Sequence, residues 1–195
     1  MSIIQGIIQS VLLCIYQYFW PAALLSILIL IASNYAHFKE PRDMLKEIFE
    51  QLIEQKEYRN RAIFKFFLSF FLMRFLLGRG INLKPLNDIL NGWNLINEDG
   101  RLNTQPLENV IVFVPLIYMM FICYGNKMLK SLNISSILKK SFLLSFVCSL
   151  SIEICQVIFV LGCFQIVDII ANTFGGLLGG VFFWFYKRHN KDKNS

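Results

Sequence analysis

Apolar residues in this sequence gather in five blocks, at 11–36, 62–78, 107–123, 141–161 and 166–186, each 17 to 26 residues long. Polar stretches that carry most of the charge separate them. A hydrocarbon core about 30 Å thick needs roughly 20 residues of helix at about 1.5 Å per residue. A spanning backbone must satisfy its own N–H and C=O groups, so the blocks predict helices. The fold class expected is all-α, a multi-pass transmembrane helix bundle of about five spans. The chain is 55% hydrophobic and only 16% charged, with a mean hydropathy of +0.52, beyond the range of an ordinary soluble domain. The stretch before the first block, MSIIQ, holds neither Lys nor Arg. With no small-residue cleavage pattern after it, the block reads as a retained span kinked at Pro21. The five cysteines, Cys14, Cys123, Cys148, Cys155 and Cys163, lie in or beside the blocks without any CxxC. Neither a disulfide frame nor a zinc site is expected from them, and His37 and His189 have no metal-ligand company. No metal and no cofactor is assigned.

Lys and Arg set the orientation of such a chain. Fourteen of the 19 fall on one side of the predicted bundle, in the first loop, the third loop and the tail. The other side has Arg79, Lys84 and Arg101, while Lys65 and Arg74 lie inside the second block. The positive-inside rule then places the N-terminus outside and the C-terminus in the cytoplasm of a cell membrane. Anchoring at the inner face explains the net charge of +6 and leaves no need for nucleic acid as a partner. The division expected is an N-terminal membrane part at 1–78, a core with three spans and an outer loop at 79–186, and a basic cytoplasmic tail at 187–195.

In this topology polar residues from four blocks converge on one leaflet. Ser145, Ser149, Glu153 and Gln156 follow helical spacing on one face of the fourth block. Asp168, Asn172, Gly175, Gly176 and Gly179 share a face of the fifth, where Gly175 with Gly179 and Gly176 with Gly180 form two overlapping GxxxG spacings. Such spacings let helices approach closely, so the fourth and fifth spans should pack on each other. Glu108 and Asn109 stand at the mouth of the third block, and Arg74 and Arg79 near the end of the second. A lone ionised carboxylate inside the membrane costs several kcal/mol, so Glu153 should be protonated, paired or in a wet cavity. Arg74 is the partner expected for it.

Two loops carry amphipathic patterns. In 81–96, Leu86, Ile89, Leu90 and Trp93 fall on one helical face, predicting a short interfacial outer helix that roofs the polar residues. Pro85 should leave Asn82 and Leu83 extended. In the first loop Leu45, Ile48, Phe49, Leu52 and Ile53 repeat at helical spacing after Pro41, predicting a cytoplasmic amphipathic helix on the membrane surface.

These residues resemble the VanZ-like family of bacterial membrane proteins, named for a teicoplanin-resistance accessory protein. The resemblance covers 79–180 and runs in the family's order. Arg79, Asn82, Leu83 and Pro85 match an Arg with NLxP, and Asn109, Phe113 and Pro115 match an Asn with FxP. Ser149, Glu153 and Gln156 follow, then Asp168, Asn172, Thr173, Gly175 and Gly179 of a DxxxNTxGxxxG pattern. The chain departs from the family in three places. Leu116 and Ile117 stand where Gly often follows FxP, Glu108 stands where Gly often precedes the Asn, and 162–167 lacks the family's Arg and extra acidic residues. The resemblance implies a cell-envelope role in glycopeptide antibiotic resistance, as lowered susceptibility to teicoplanin-type lipoglycopeptides.

Three mechanisms fit the polar residues. In a binding protein, Arg79, Lys84 and Arg101 would rim an outer-leaflet cavity lined by Arg74, Asn82, Asn109, Glu153, Gln156, Asp168 and Asn172. That cavity would hold a lipid headgroup or a lipid-linked cell-wall intermediate. A membrane-embedded enzyme would use Glu153 and Asp168 as its catalytic acid and base on a lipid-linked substrate. A lipid transporter or flippase would use the intramembrane carboxylate as an ion site. The binding reading is favoured over the enzyme, because the sequence has no zinc motif, GxSxG elbow or P-loop.

Overall fold

The computed structural model describes residues 3–35, 41–76, 80–84, 86, 89–90, 92–94 and 103–192. Six helices run through them: α1 (Ile3–Tyr35), α2 (Pro41–Glu54), α3 (Lys56–Leu76), α4 (Gln105–Met128), α5 (Ile134–Ile158) and α6 (Ile166–Asp192). Of these α1, α4, α5 and α6 are long and apolar enough to cross a membrane by length and composition. The second predicted span, 62–78, overlaps α3 as far as Leu76, and its last two residues lie outside the described ones. The 21 residues of α3 include a charged opening turn and, deeper in, Lys65 and Arg74, so it does not reach the apolar standard of the other four.

Local chemistry fixes several helix ends. Asn133 caps α5 by accepting a hydrogen bond from the Ser136 N–H at 2.9 Å, and a proline sits in the first turn of α4. Arg59 Nη1 donates to the carbonyls of Leu52 and Ile53 at 3.4 and 3.1 Å, satisfying the end of α2 across the one-residue break at Gln55. Helix α1 continues through Pro21, and α4 through Pro115. Beyond α5, Val160 takes a left-handed φ of 58° and the Leu161 N–H returns to the Gln156 carbonyl at 2.8 Å. That turn lets 160–162 pair with 80–82: Asn82 N–H meets Val160 O and Gly162 N–H meets Gly80 O, both at 2.9 Å.

The helices pack side by side in the order α1, α3, α4, α6, α5. The two GxxxG spacings explain why α6 lies between two neighbours. Gly175 and Gly179 face α4, where an added Cβ would lie 2.5 Å from the Val110 and Val114 carbonyl oxygens. Gly176 and Gly180 face Ser145 and Ser141 of α5. The expected packing of the fourth and fifth predicted spans is thus present, and α4 fills the other side of the same helix. With no hydrophobic effect to drive contact between helices in lipid, such close approach supplies dispersion energy. The aromatic core continues through Phe71, Phe75 and Phe113, whose rings stand 5.0 to 6.1 Å apart, and through Phe121 against Phe183 at 5.2 Å.

The helix expected after Pro41 in the first loop is present as α2, and the other loop expectation changes. The interfacial helix predicted in 81–96 is not formed by its described residues, which make the bridge at Ile81 and turns at Leu86, Ile89 and Leu90. Pro85 and Gly92, whose φ is +96°, both oppose a continuous helix there. Asn82 and Leu83 are non-helical, as Pro85 predicts. In α2 the apolar pattern splits. Met44 and Ile48 are buried, whereas Leu45, Phe49 and Ile53 form an exposed stripe.

Candidate functional site

Helix α4 runs antiparallel to α3 and parallel to α6, and α5 runs antiparallel to α6, so the ends of α3 and α5 meet the starts of α4 and α6 at one end of the bundle. The predicted polar residues gather there. Asn109, Glu153, Gln156, Asp168 and Asn172 are each 0% exposed. Burial of that kind costs several kcal/mol unless partners are found.

Asp168, in the first turn of α6, has the most partners. Gln105 Nε2 lies 3.0 and 2.9 Å from its two oxygens, and Asn109 Nδ2 donates to Oδ1 at 2.8 Å. Gln105 and Asn109 are four residues apart on α4, so both amides project from one face toward the same carboxylate. Gln105 Nε2 also reaches Gln165 Oε1 at 2.9 Å. The Gln165 N–H in turn donates to Glu153 Oε2 at 2.8 Å, which links the α5 carboxylate to the start of α6. Gln156 Nε2 donates to the Phe75 carbonyl at 3.1 Å, near the end of α3. Asn172 Nδ2 donates to Ser149 Oγ at 2.8 Å.

The polar stripe predicted on the fourth block therefore has two parts. Ser141 and Ser145 bond back to carbonyls of their own helix, at 2.9 and 2.7 Å, and seat the α6 glycines. Ser149, Glu153 and Gln156 belong to the cluster. Asn109 Oδ1, Gln156 Oε1 and Asn172 Oδ1 are buried acceptors without a hydrogen-bond donor. Among the described residues no group of three His, Cys, Asp or Glu side chains is placed to hold a metal ion.

Arg74 does not pair with Glu153. Its Nη2 lies 2.9 Å from Glu108 Oε2, and the guanidinium stands 6.0 Å from the Tyr18 ring and 5.7 Å from the Phe75 ring. The packing order gives the reason: α3 lies against α1 and α4, so the carboxylate within reach is on α4. Thr104 Oγ1 donates to the other Glu108 oxygen at 2.8 Å, making Glu108 a bridge between the α4 entry and α3.

Asn82 serves the loop. Its Oδ1 accepts from the Lys84 N–H at 2.8 Å and its Nδ2 reaches Cys163 Sγ at 2.7 Å, tying 80–84 to the α5–α6 connection. Lys84 is exposed, and Arg79 and Arg101 lie outside the described residues. Of the loop's other described residues, Ile89 and Gly92 rest on the start of α6. Ile166 N–H donates to Ile89 O at 3.1 Å, Asn103 Nδ2 donates to Gly92 O at 2.9 Å, and a Cβ on Gly92 would lie 2.7 Å from Val167 Cγ1. Sequence reasoning missed Gln105, Gln165 and the bridging role of Glu108. The i, i+4 amide pair of Gln105 and Asn109 ahead of an apolar block was the signal available.

Fold and site together define a multi-pass membrane protein whose helix ends enclose a buried cluster of carboxylates and amides. The chain belongs to the VanZ/LLP1 family, whose model matches residues 7–187. It is similar to protein VanZ of Enterococcus faecium, with 33% identity over 89 residues that make up 46% of this chain and 50% of that protein. The chain thus matches about half the length of that relative. No solved structure matches it.

Proposed function

We propose that this protein lowers susceptibility to teicoplanin-type lipoglycopeptides by holding a lipid headgroup, or that of a lipid-linked cell-wall intermediate, at the polar cluster. The reading rests on one observation. Side chains from α4, α5 and α6 meet in a fully buried patch that also takes in an α3 carbonyl, and it keeps acceptors such as Asn109 Oδ1 and Gln156 Oε1 without donors. Unpaired acceptors at such depth are costly to keep for scaffolding alone. In this reading the cluster faces the outer leaflet of a bacterial membrane. Arg79, Lys84 and Arg101 then lie on the same side, where phosphate would meet them. Membership of the VanZ/LLP1 family supports the resistance role.

The test is teicoplanin susceptibility of cells expressing Glu153→Gln, Gln156→Ala or Asp168→Asn, with membrane levels of each variant measured. Susceptibility should return to that of cells without the protein. Wild-type resistance in all three variants at normal protein levels discards the site.

A further inference from the structure

Between α3 and α5, which do not pack closely, runs an apolar groove of about 620 Å³. Leu68, Leu72 and Phe75 line it on one side and Leu144, Val147 and Ser151 on the other. Along α5 the lining extends from Leu143 to Cys155, twelve residues or about 18 Å, a little more than half of a hydrocarbon core about 30 Å thick. Both helices run toward the polar cluster, where Gln156 Nε2 donates to the Phe75 carbonyl. The groove therefore has one end at the cluster and the other near the starts of α3 and α5.

Cations stand at that second end. Helical spacing continues each wall outward to them: Leu72 and Leu68 lead back to Lys65 and Arg61 on α3, and Val147 and Leu144 lead back to Lys140 on α5. Counted from the bond between Phe75 and Gln156, Arg61 lies fourteen residues back and Lys140 sixteen, about 21 and 24 Å. The two come level at the mouth of the groove. Arg61 is exposed, and Lys65 and Lys140 are half-buried.

Nothing in the described chain neutralises these cations. The ion pairs among the described residues are Lys46 with Glu50 and Arg74 with Glu108. Glu57, one turn before Arg61, does not reach it, and Glu153, the acidic residue of α5, lies at the far end of the groove. Lys65 gives one N–H to Ser33 Oγ at 2.7 Å, and Arg61 and Lys140 make no hydrogen bond among the described residues. Arg61 and Lys65 repel each other at their four-residue spacing, and Lys65 stands inside an apolar run, from Ala62 to Phe64 before it and from Phe66 to Leu68 after it, where a lone charge is costly. An anion at the mouth relieves both.

We propose that the groove holds a chain of an anionic phospholipid from the leaflet opposite the polar cluster, with the headgroup phosphate between Arg61, Lys65 and Lys140. Guanidinium and ammonium N–H groups suit phosphate oxygens, and the apolar walls suit the chain. A free phosphate would leave the groove unfilled. The site is separate from the polar cluster and does not rest on the binding reading given above.

The full chain is incorporated into bilayers of phosphatidylglycerol and phosphatidylcholine with identical chains in equal amounts, then gently extracted, and its retained lipid is weighed by native mass spectrometry. Phosphatidylglycerol should be retained over phosphatidylcholine. Arg61→Gln and Lys140→Gln should each lower its retention roughly fivefold, the worth of one cation at an anionic membrane surface. Lys56→Gln removes a charge from the same end of α3 but from another face, and should leave retention unchanged. Val147→Trp, which fills the groove, should reduce retention with the melting temperature unchanged. Equal retention of the two lipids, or an equal loss in Lys56→Gln, reduces the effect to net charge and overturns the proposal. Retention untouched by Val147→Trp overturns it by removing the chain from the groove. Displacement of the lipid by inorganic phosphate, but not by chloride at the same ionic strength, overturns it in favour of a site for the free ion.

Discussion

Arg74 on α3 and Glu108 on α4 form an ion pair of 2.9 Å, with side chains 8% and 14% exposed. The pair joins the last turn of one helix to the first turn of the next, and Glu108 falls between Gln105 and Asn109, the amides that hold Asp168. Glu108 is thus a nearly buried carboxylate that comes with the cation that neutralises it. A pair of this kind is worth little against an apolar isostere, but a single member left alone is costly.

Glu108→Met or Arg74→Met should each therefore lower stability by about 3 kcal/mol, and the Arg74→Met, Glu108→Met double variant should recover most of the loss. Thermal unfolding of the detergent-solubilised protein reads this directly. Simple addition of the two losses would show that the charges do not depend on each other.

The two glycine pairs of α6 should respond differently to alanine. At Gly179 the added methyl meets the Val114 carbonyl oxygen at 2.5 Å, and a backbone atom cannot rotate away without moving α4. At Gly180 it meets Ser141 Oγ, the end of a short side chain. Gly179→Ala is expected to lower the melting temperature more than Gly180→Ala, and Ser141→Ala should rescue most of the second and none of the first. Equal losses with no rescue would mean that α5 presses on α6 as rigidly as α4 does.

Much of this arrangement was legible in the sequence because hydrocarbon imposes a length and a periodicity that few other environments do. The blocks that became α1, α4, α5 and α6, and the convergence of Asn109, Glu153, Gln156, Asp168 and Asn172, follow from apolar runs and the 3.6-residue repeat. Pairing was not legible. Periodicity tells which residues share a face but not which helix that face meets, so Arg74 was matched to Glu153 when α4 and not α5 lies beside α3. The same gap hid α4 as the partner of Gly175 and Gly179. The 81–96 segment misled for another reason: its apolar spacing suits a helix, yet Gly92 at φ +96° and the bridge at Ile81 commit its described residues to turns.

Helix α2 separates two apolar faces that the sequence merges. Met44 is 4% exposed, whereas Phe49 is 65% exposed on a stripe with Leu45 and Ile53. If α2 lies on the membrane surface as its pattern predicts, that stripe should sit in the lipid interface. With Trp20, Trp93 and Trp184 replaced by Phe, a tryptophan at Phe49→Trp should be quenched strongly by brominated lipid chains and one at Met44→Trp only weakly. Similar quenching at both positions would place α2 away from the membrane surface.

The placement of the cations predicts an orientation. Lys127, Lys130, Lys139, Lys140, Lys187 and Arg188 sit at the ends of α4 and α6 and the start of α5, opposite the polar cluster, while Lys84 lies on the cluster side. Lys and Arg are retained on the cytoplasmic face during insertion, so the cluster should face outward. In a background without the five native cysteines, Lys84→Cys should react with a membrane-impermeant maleimide on intact cells. His189→Cys, exposed near the other end of α6, should react only after permeabilisation. The reverse pattern would turn the polar cluster toward the cytoplasm, out of reach of any lipoglycopeptide target, and would end the resistance mechanism proposed for it.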